Sequence, residues 1–165
     1  MPEMTYFVTC CTSRRLPGLA LELVANRILA HVRDSDNARD TTTFGFTIMP
    51  DHCHWVFRLG HRLSLGRIIA RFKARTNVAL SEFGLDWQRV FYEHRLTPGE
   101  DHEAYALYAF LNPYRAGLIR SGEVWPWWWS GASDLLRFPR LLNPGGTPPP
   151  QWVGEPIPSW IRHGE

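Results

Sequence analysis

The stretch IMPDHCHWVF, residues 48–57, places His52 and His54 one residue apart in an otherwise apolar run. On a strand the two imidazoles share one face, about 7 Å apart along the chain, while Cys53 and Trp55 point the other way. Two imidazoles so placed can share a metal ion, although a catalytic divalent cation also needs a third protein ligand and positions open to substrate. Further along, YALYAFLNPYRAGLI sets Tyr108 and Asn112 four residues apart, on one helical face and about 6 Å apart along the axis. Tyr105 lies on nearly the same face one turn back, and helix geometry alone does not choose between the two tyrosines. Asn112 precedes a proline and can equally serve as a helix C-cap. A third set, Arg67, Arg71 and Arg75, falls at i, i+4 and i+8. It lines three guanidinium groups along one helix side, with Ile68, Phe72 and Ala79 on another. Spacing alone gives similar weight to phosphate contact and to a solvated surface.

These residues need elements to hold them. Residues 4–12, MTYFVTCCT, are β-branched and aromatic and predict a strand that ends at Ser13, Arg14, Arg15 and a Pro-Gly turn. ALELVANRILAHV, from Ala20 to Val32, has helical spacing and is ended by the polar run RDSDNARDTTT. Residues 43–58 give two short strands joined by a tight turn or bulge at Met49, Pro50 and Asp51. A helix follows from about Ser64 to Glu82, then a strand in WQRVFYEHRL, then a helix from Glu100 to Leu111 that stops near Asn112-Pro113. The order β, α, β, β, α, β, α predicts an α+β fold, a ferredoxin-like split βαβ sandwich with an antiparallel sheet backed by helices. Such a sheet leaves one face available for a ligand. Residues 1–121 form this domain, and 122–165 form a Trp- and Pro-rich tail running extended over it.

At 165 residues the chain suits one domain. Hydrophobic residues at 44% and charged residues at 21% make it globular, and no apolar stretch approaches a membrane span. With no signal pattern at its start, it is expected to be cytoplasmic. Cys10, Cys11 and Cys53 are odd in number and lack a C-x-x-C spacing, which argues for buried thiols over a disulfide framework or zinc ribbon. The net charge of +2 permits a polyanionic partner. Lys73 is the one lysine among 18 basic residues, so the basic surface is built from guanidinium groups suited to bidentate phosphate contact.

Four stretches in order, TYFVTCCTSRR, MPDHCHWVF, IIARFKART and WQRVFYEHRL followed by YALYAFLNPYRAGLI, resemble the REP-associated tyrosine transposases, single-tyrosine HUH transposases of the insertion-sequence type. The combination Met-Pro-Asp-His-x-His with Tyr-x-x-x-Asn-Pro-x-Arg-Ala-Gly carries the resemblance, which spans most of residues 4–120. It implies that His52, His54 and Asn112 hold Mg or Mn and that Tyr108 is the nucleophile, leaving Tyr105 to packing or substrate contact. The implied activity is cleavage and rejoining of single-stranded DNA at palindromic hairpins through a 5′-phosphotyrosine link, by a monomer or homodimer. Arg14, Arg15, Arg67, Arg71, Lys73 and Arg75 become DNA-contact candidates. Glu93 and His94 are candidates for the base that a phenol of ordinary pKa near 10 requires, with a satisfied edge-strand pair as the alternative. Some members cover the active site with a C-terminal tail, a role open here to residues 147–158. Trp125, Trp127, Trp128 and Trp129 suit core packing better than base stacking. Two other classes fit the residues: a catalytically silent nucleic-acid-binding module, and a phosphodiesterase that activates water and dispenses with Tyr108.

Overall fold

The computed structural model describes residues 3–164. Strand β1 (Thr5–Cys11) leads through a 3-10 turn to helix α1 (Glu22–Asn37). The hairpin β2 (Thr41–Ile48) and β3 (His52–Leu59) follows, then α2 (Leu65–Ser81), β4 (Tyr92–Arg95) and α3 (His102–Arg115). Residues 122–164 add β5 (Trp128–Trp129), short 3-10 turns and α4 (Pro150–Val153). The sheet order is β4-β1-β3-β2-β5, with every neighbouring pair antiparallel. The first four strands have the split βαβ arrangement that the element order predicts.

Alternation along the strands sorts the core into two layers. Val8, Cys10, Phe46, Cys53, Trp55 and Phe57 pack with α1 and α2, and Phe72 of α2 is fully buried among them. Phe7, Phe44 and Val56 face the other way, onto Tyr105, Ala106 and Tyr108 of α3 and onto Phe138 and Ile161 beyond it. The sheet face expected to stay free is therefore covered, and a ligand reaches it only where that cover is incomplete. Gly45, next to a register shift in β2, permits the close approach: a Cβ there would meet the Trp128 ring at 2.6 Å and the Ala106 backbone at 3.5 Å. Cys10 and Cys53 are buried thiols in register across β1 and β3, and Cys11 is partly exposed.

Three boundaries differ from the spacing. Helix α1 continues through the polar run to Asn37, because Asp36 is tied to β2. Its carboxylate accepts from the Thr41 hydroxyl at 2.6 Å, and from the Thr43 hydroxyl and N–H at 2.7 and 2.9 Å. Strand β4 is shorter than WQRVFYEHRL, because Trp87 turns inward and donates its indole N–H to the Thr76 hydroxyl at 2.9 Å. Helix α3 runs through Pro113 to Arg115, so Asn112 lies inside the helix and Ala116 is the C-cap, followed by Gly117 at φ 74°. A proline here costs about 3 kcal/mol through its missing N–H. Burial of Asn112, Pro113 and Tyr114, with the Tyr114 hydroxyl donating to Glu123 O at 2.7 Å, offsets that cost. Helix α2 keeps its expected start, with Ser64 Oγ capping Arg67 N at 3.3 Å.

Candidate active site

The β2–β3 turn at Met49, Pro50 and Asp51 closes with Met49 N donating to His52 O at 2.8 Å. His52 thus begins β3, and His54 sits opposite Thr9 of β1 and Thr47 of β2. Both imidazoles are buried, on the α3 face, with ring centroids 4.8 Å apart. Both rings are oriented through Nδ1. His52 Nδ1 lies 2.7 Å from Asp51 Oδ1 and 3.3 Å from Arg15 Nη2; an ionised carboxylate only accepts, and the shorter contact is the one in which Nδ1 donates. The Thr9 hydroxyl donates to His163 O at 3.1 Å, which leaves it to accept from His54 Nδ1 at 2.8 Å. Each ring is thus held at Nδ1 by a neighbouring segment, His52 by the turn residue Asp51 and His54 by Thr9 of β1. Burial works to raise the Asp51 carboxyl, but hydrogen bonds and positive charge from Arg15 and His52 outweigh it and hold the group below its usual range.

Across from this pair, α3 presents Tyr108 and Asn112, both buried. The Tyr108 ring stands edge-on to His54 at 5.7 Å, and Phe7 stacks on His54 at 5.1 Å and meets Tyr108 at 6.1 Å. Tyr108, Asn112 and His52 line one cavity of about 580 Å³, together with Arg15, Asp51, Arg115 and residues of the C-terminal segment. Arg15 is brought there by the β1–α1 loop, which Gly18 N and Leu19 N fasten to Pro50 O at 2.9 Å each. Arg14 and Arg15 both adopt left-handed φ, 56° and 54°, a strained backbone held by the Arg15 Nε–Asp51 Oδ2 bond at 3.0 Å and by Thr12.

Tyr105 belongs to a different cluster. Its hydroxyl donates to Glu100 Oε2 at 2.7 Å and accepts from Arg162 N at 3.3 Å, and His94 Nε2 lies 3.0 Å from both Glu100 oxygens. Burial, with the Glu100 hydrogen bond adding to it, pushes the Tyr105 phenol up to about 12. His94, proposed as a base, is thus engaged by Glu100, and Glu93 is exposed; neither lines the cavity. The arginines of α2 lie on the opposite side of the sheet from the histidine pair. Arg71 Nη1 is 3.6 Å from the buried Asp40 carboxylate, Arg75 borders the same recess, and Arg67 is exposed. Lys73 donates its ammonium protons to Gln88 O and Val90 O at 2.7 and 3.0 Å, anchoring the segment before β4.

The C-terminal segment closes the cavity. His163 stacks on Tyr108 at 5.3 Å and 22°, Trp160 meets Tyr105 at 5.9 Å, and Ile157 lines the wall. The covering residues are therefore mainly C-terminal to the proline-rich run of 147–158. The four tryptophans are half-buried and packed: Trp127 and Trp129 on the α1/α2 layer, Trp128 against Phe110 and Phe138, and Trp125 donating to Ile48 O at 3.1 Å. Thr9, Asp51 and His163 are site residues that spacing did not single out. Thr9 and Asp51 lie in the quoted motifs, but a cross-strand register is needed to bring Thr9 to His54.

Among the described residues no group of three or more His, Cys, Asp or Glu gathers in metal-binding fashion. The donor set that does gather is two imidazoles and a carboxamide. Each imidazole is anchored through Nδ1 by a carboxylate or hydroxyl, the kind of support that orients a metal-ligating histidine. Beside them the Thr47 hydroxyl is buried with no hydrogen-bond partner among the described residues, a polar floor under His54. These residues fit a hard divalent ion that retains substrate or solvent oxygens.

The family described as Transposase IS200 like matches residues 1–96, more than half of the chain. The chain belongs to the IS200-like transposase family. Its fold is similar to that of a REP-associated tyrosine transposase bound to a REP hairpin, with a TM-score of 0.61 and 21% identity over 78% of this chain and 77% of the other. A candidate transposase from Deinococcus radiodurans R1 aligns with a TM-score of 0.50 and 16% identity over 59% of this chain and 82% of that one. No protein of curated function matches the sequence. Family membership assigns the chain a transposase role. No helix of the described residues is long and apolar enough to cross a membrane.

Proposed function

We propose that this IS200-like transposase cleaves and rejoins single-stranded DNA beside palindromic, REP-like hairpins, with Tyr108 as nucleophile. The observation that carries the reading is the meeting of Tyr108 and Asn112, one helical turn apart on α3, with His52 at a single cavity, while His54 stands edge-on to Tyr108 behind it. The Tyr108 phenol oxygen attacks phosphorus, the bond to the 3′ oxygen breaks, and the products are a 5′-phosphotyrosine and a free 3′ hydroxyl that has taken up a proton. No water is consumed, so a second DNA end can reverse the link. His52, His54 and Asn112 would hold Mg or Mn, which when bound polarises the phosphate and offsets charge on the leaving oxygen. Tyr105, a donor to Glu100 with its pKa pushed up to about 12, is poorly suited to attack. Arg15 at the cavity, and Arg14 beside it, contact the strand near the break; Arg67, Arg71 and Arg75 offer a second contact surface for the hairpin, and Lys73 contributes charge there.

The test uses an end-labelled single-stranded oligonucleotide carrying the palindromic repeat found beside this protein's gene, with Mg or Mn and then with chelator. A DNA-linked protein band that requires metal, survives Tyr105→Phe and disappears in Tyr108→Phe is expected. Metal-dependent cutting without a linked band would instead indicate a hydrolase, and binding without cutting a silent binding module.

A further inference from the structure

The Asn-Pro-x-Arg-Ala-Gly motif carries one charged residue, Arg115. Arg115 is three residues beyond Asn112 and seven beyond Tyr108, two turns of α3, so the three side chains share one helical face. All three line the same cavity with His52. The Arg115 guanidinium is partly buried there, and burial pulls its pKa down while the charges of Tyr108 and Glu155 act to raise it, which places the phenol within electrostatic reach of the guanidinium. Its hydrogen bonds are long and go to neutral acceptors: Nη2 to Trp152 O and Glu155 O at 3.3 Å each, and Nε to Val153 O at 3.4 Å. Among the described residues no carboxylate pairs with it. Guanidinium groups bind anionic oxygens at about 2.7–2.9 Å and roughly twice as strongly as neutral ones. The backbone carbonyls of 152–155 are thus weak stand-ins for the acceptor that this fork fits.

We propose that Arg115 is a catalytic residue that donates from its guanidinium fork to the non-bridging oxygens of the phosphate attacked by Tyr108. It exchanges the carbonyls of Trp152, Val153 and Glu155 for phosphate oxygens when the strand enters. As Tyr108 forms its bond to phosphorus and the bond to the 3′ oxygen breaks, the negative charge spread over the non-bridging oxygens is met by this fork. The assignment rests on Tyr108 being the nucleophile.

The rival role is structural: a cation in the last turn of α3 that complements the helix dipole and anchors the C-terminal segment. The two differ in sign. Loss of an anchor loosens the segment over Tyr108 and leaves cleavage unchanged or faster, whereas loss of a phosphate donor slows it. The experiment measures single-turnover adduct formation by the full-length wild type, Arg115→Ala and Arg115→Lys, on the repeat oligonucleotide and on the same strand with a methylphosphonate at the cleaved position. Arg115→Ala is expected to slow adduct formation by about 10²-fold, the scale of removing one charge-stabilising donor. Arg115→Lys, which keeps charge and loses the fork, is expected to be slowed at least about 10-fold. The methylphosphonate should slow the wild type much more than either variant, because the missing oxygen is the one Arg115 holds. Equal sensitivity of all three proteins, or an Arg115→Lys rate equal to wild type, overturns the assignment while Tyr108 chemistry stands. A wild type that forms no Tyr108-dependent adduct overturns the underlying reading instead. If Arg115→Ala does not fold, Arg115→Lys and the methylphosphonate comparison carry the test.

Discussion

Asp51 and His52, adjacent in the chain, meet side chain to side chain: Oδ1 of the carboxylate is 2.7 Å from Nδ1 of the imidazole. The contact fixes the ring's aim, as Thr9 does for His54. Asp51→Asn and Thr9→Val are therefore expected to leave the fold intact and to weaken divalent-metal dependence of cleavage about 10–100-fold, the usual cost of losing such a support. Mn titration of adduct formation, beside thermal melts, checks this. Unchanged half-saturation in both variants would show that the imidazoles do not serve a metal.

The C-terminal segment sits on the nucleophile through the His163–Tyr108 stack, and on Tyr105 through Trp160. Replacing both residues, Trp160→Ala with His163→Ala, is expected to open the cavity and to speed adduct formation several-fold at low DNA concentration. Slower cleavage would mean that His163 takes part in the reaction rather than covering it.

Glu100 gives the fold a pH signature. Burial acts to raise its carboxyl, but the Thr97 N–H, the Tyr105 hydroxyl and His94 together hold it down at about 2, against an ordinary 4.5. A depressed carboxylate adds stability above its unfolded pKa, and that stability is lost as pH falls from about 4.5 towards 2. Tyr105 has the opposite sign: held neutral with a pKa of about 12, it adds stability below 10 that is lost as pH rises towards 12. Melting temperatures of wild type and Glu100→Gln should differ most near neutrality and converge towards pH 2. A constant gap across that range would remove the ionised network from the account.

Lys73 and Arg67 lie on the same helix but are expected to fail differently. Lys73 holds two backbone carbonyls near 3 Å, so Lys73→Met should cost about 1–3 kcal/mol in urea unfolding. Arg67 is exposed, and among the described residues its side chain makes no hydrogen bond or ion pair, so Arg67→Ala should leave stability within about 0.5 kcal/mol. If Arg67 contacts a DNA phosphate, the same change lowers the salt slope of binding by about one unit. A Lys73 variant of full stability with weakened DNA binding would reverse these roles.

The element order, the strand carrying His52 and His54, the capped start of α2 and the pairing of Tyr108 with Asn112 on one helical face all follow from local rules: period, turn residues and i, i+4 spacing. Those rules act over a few residues and are written in the sequence. Only the tertiary structure decided the rest. Helix α3 passes through Pro113 because buried neighbours outweigh a missing hydrogen bond, and Lys73 faces a loop because of where that loop packs. Thr9 reaches His54 across 45 residues of chain. Tyr105 and Tyr108, three residues apart on one helix, are separated by their surroundings: one phenol is bound to Glu100, and the other lies at the cavity beside the histidine pair. Such differences arise from contacts between distant segments, which no local pattern encodes.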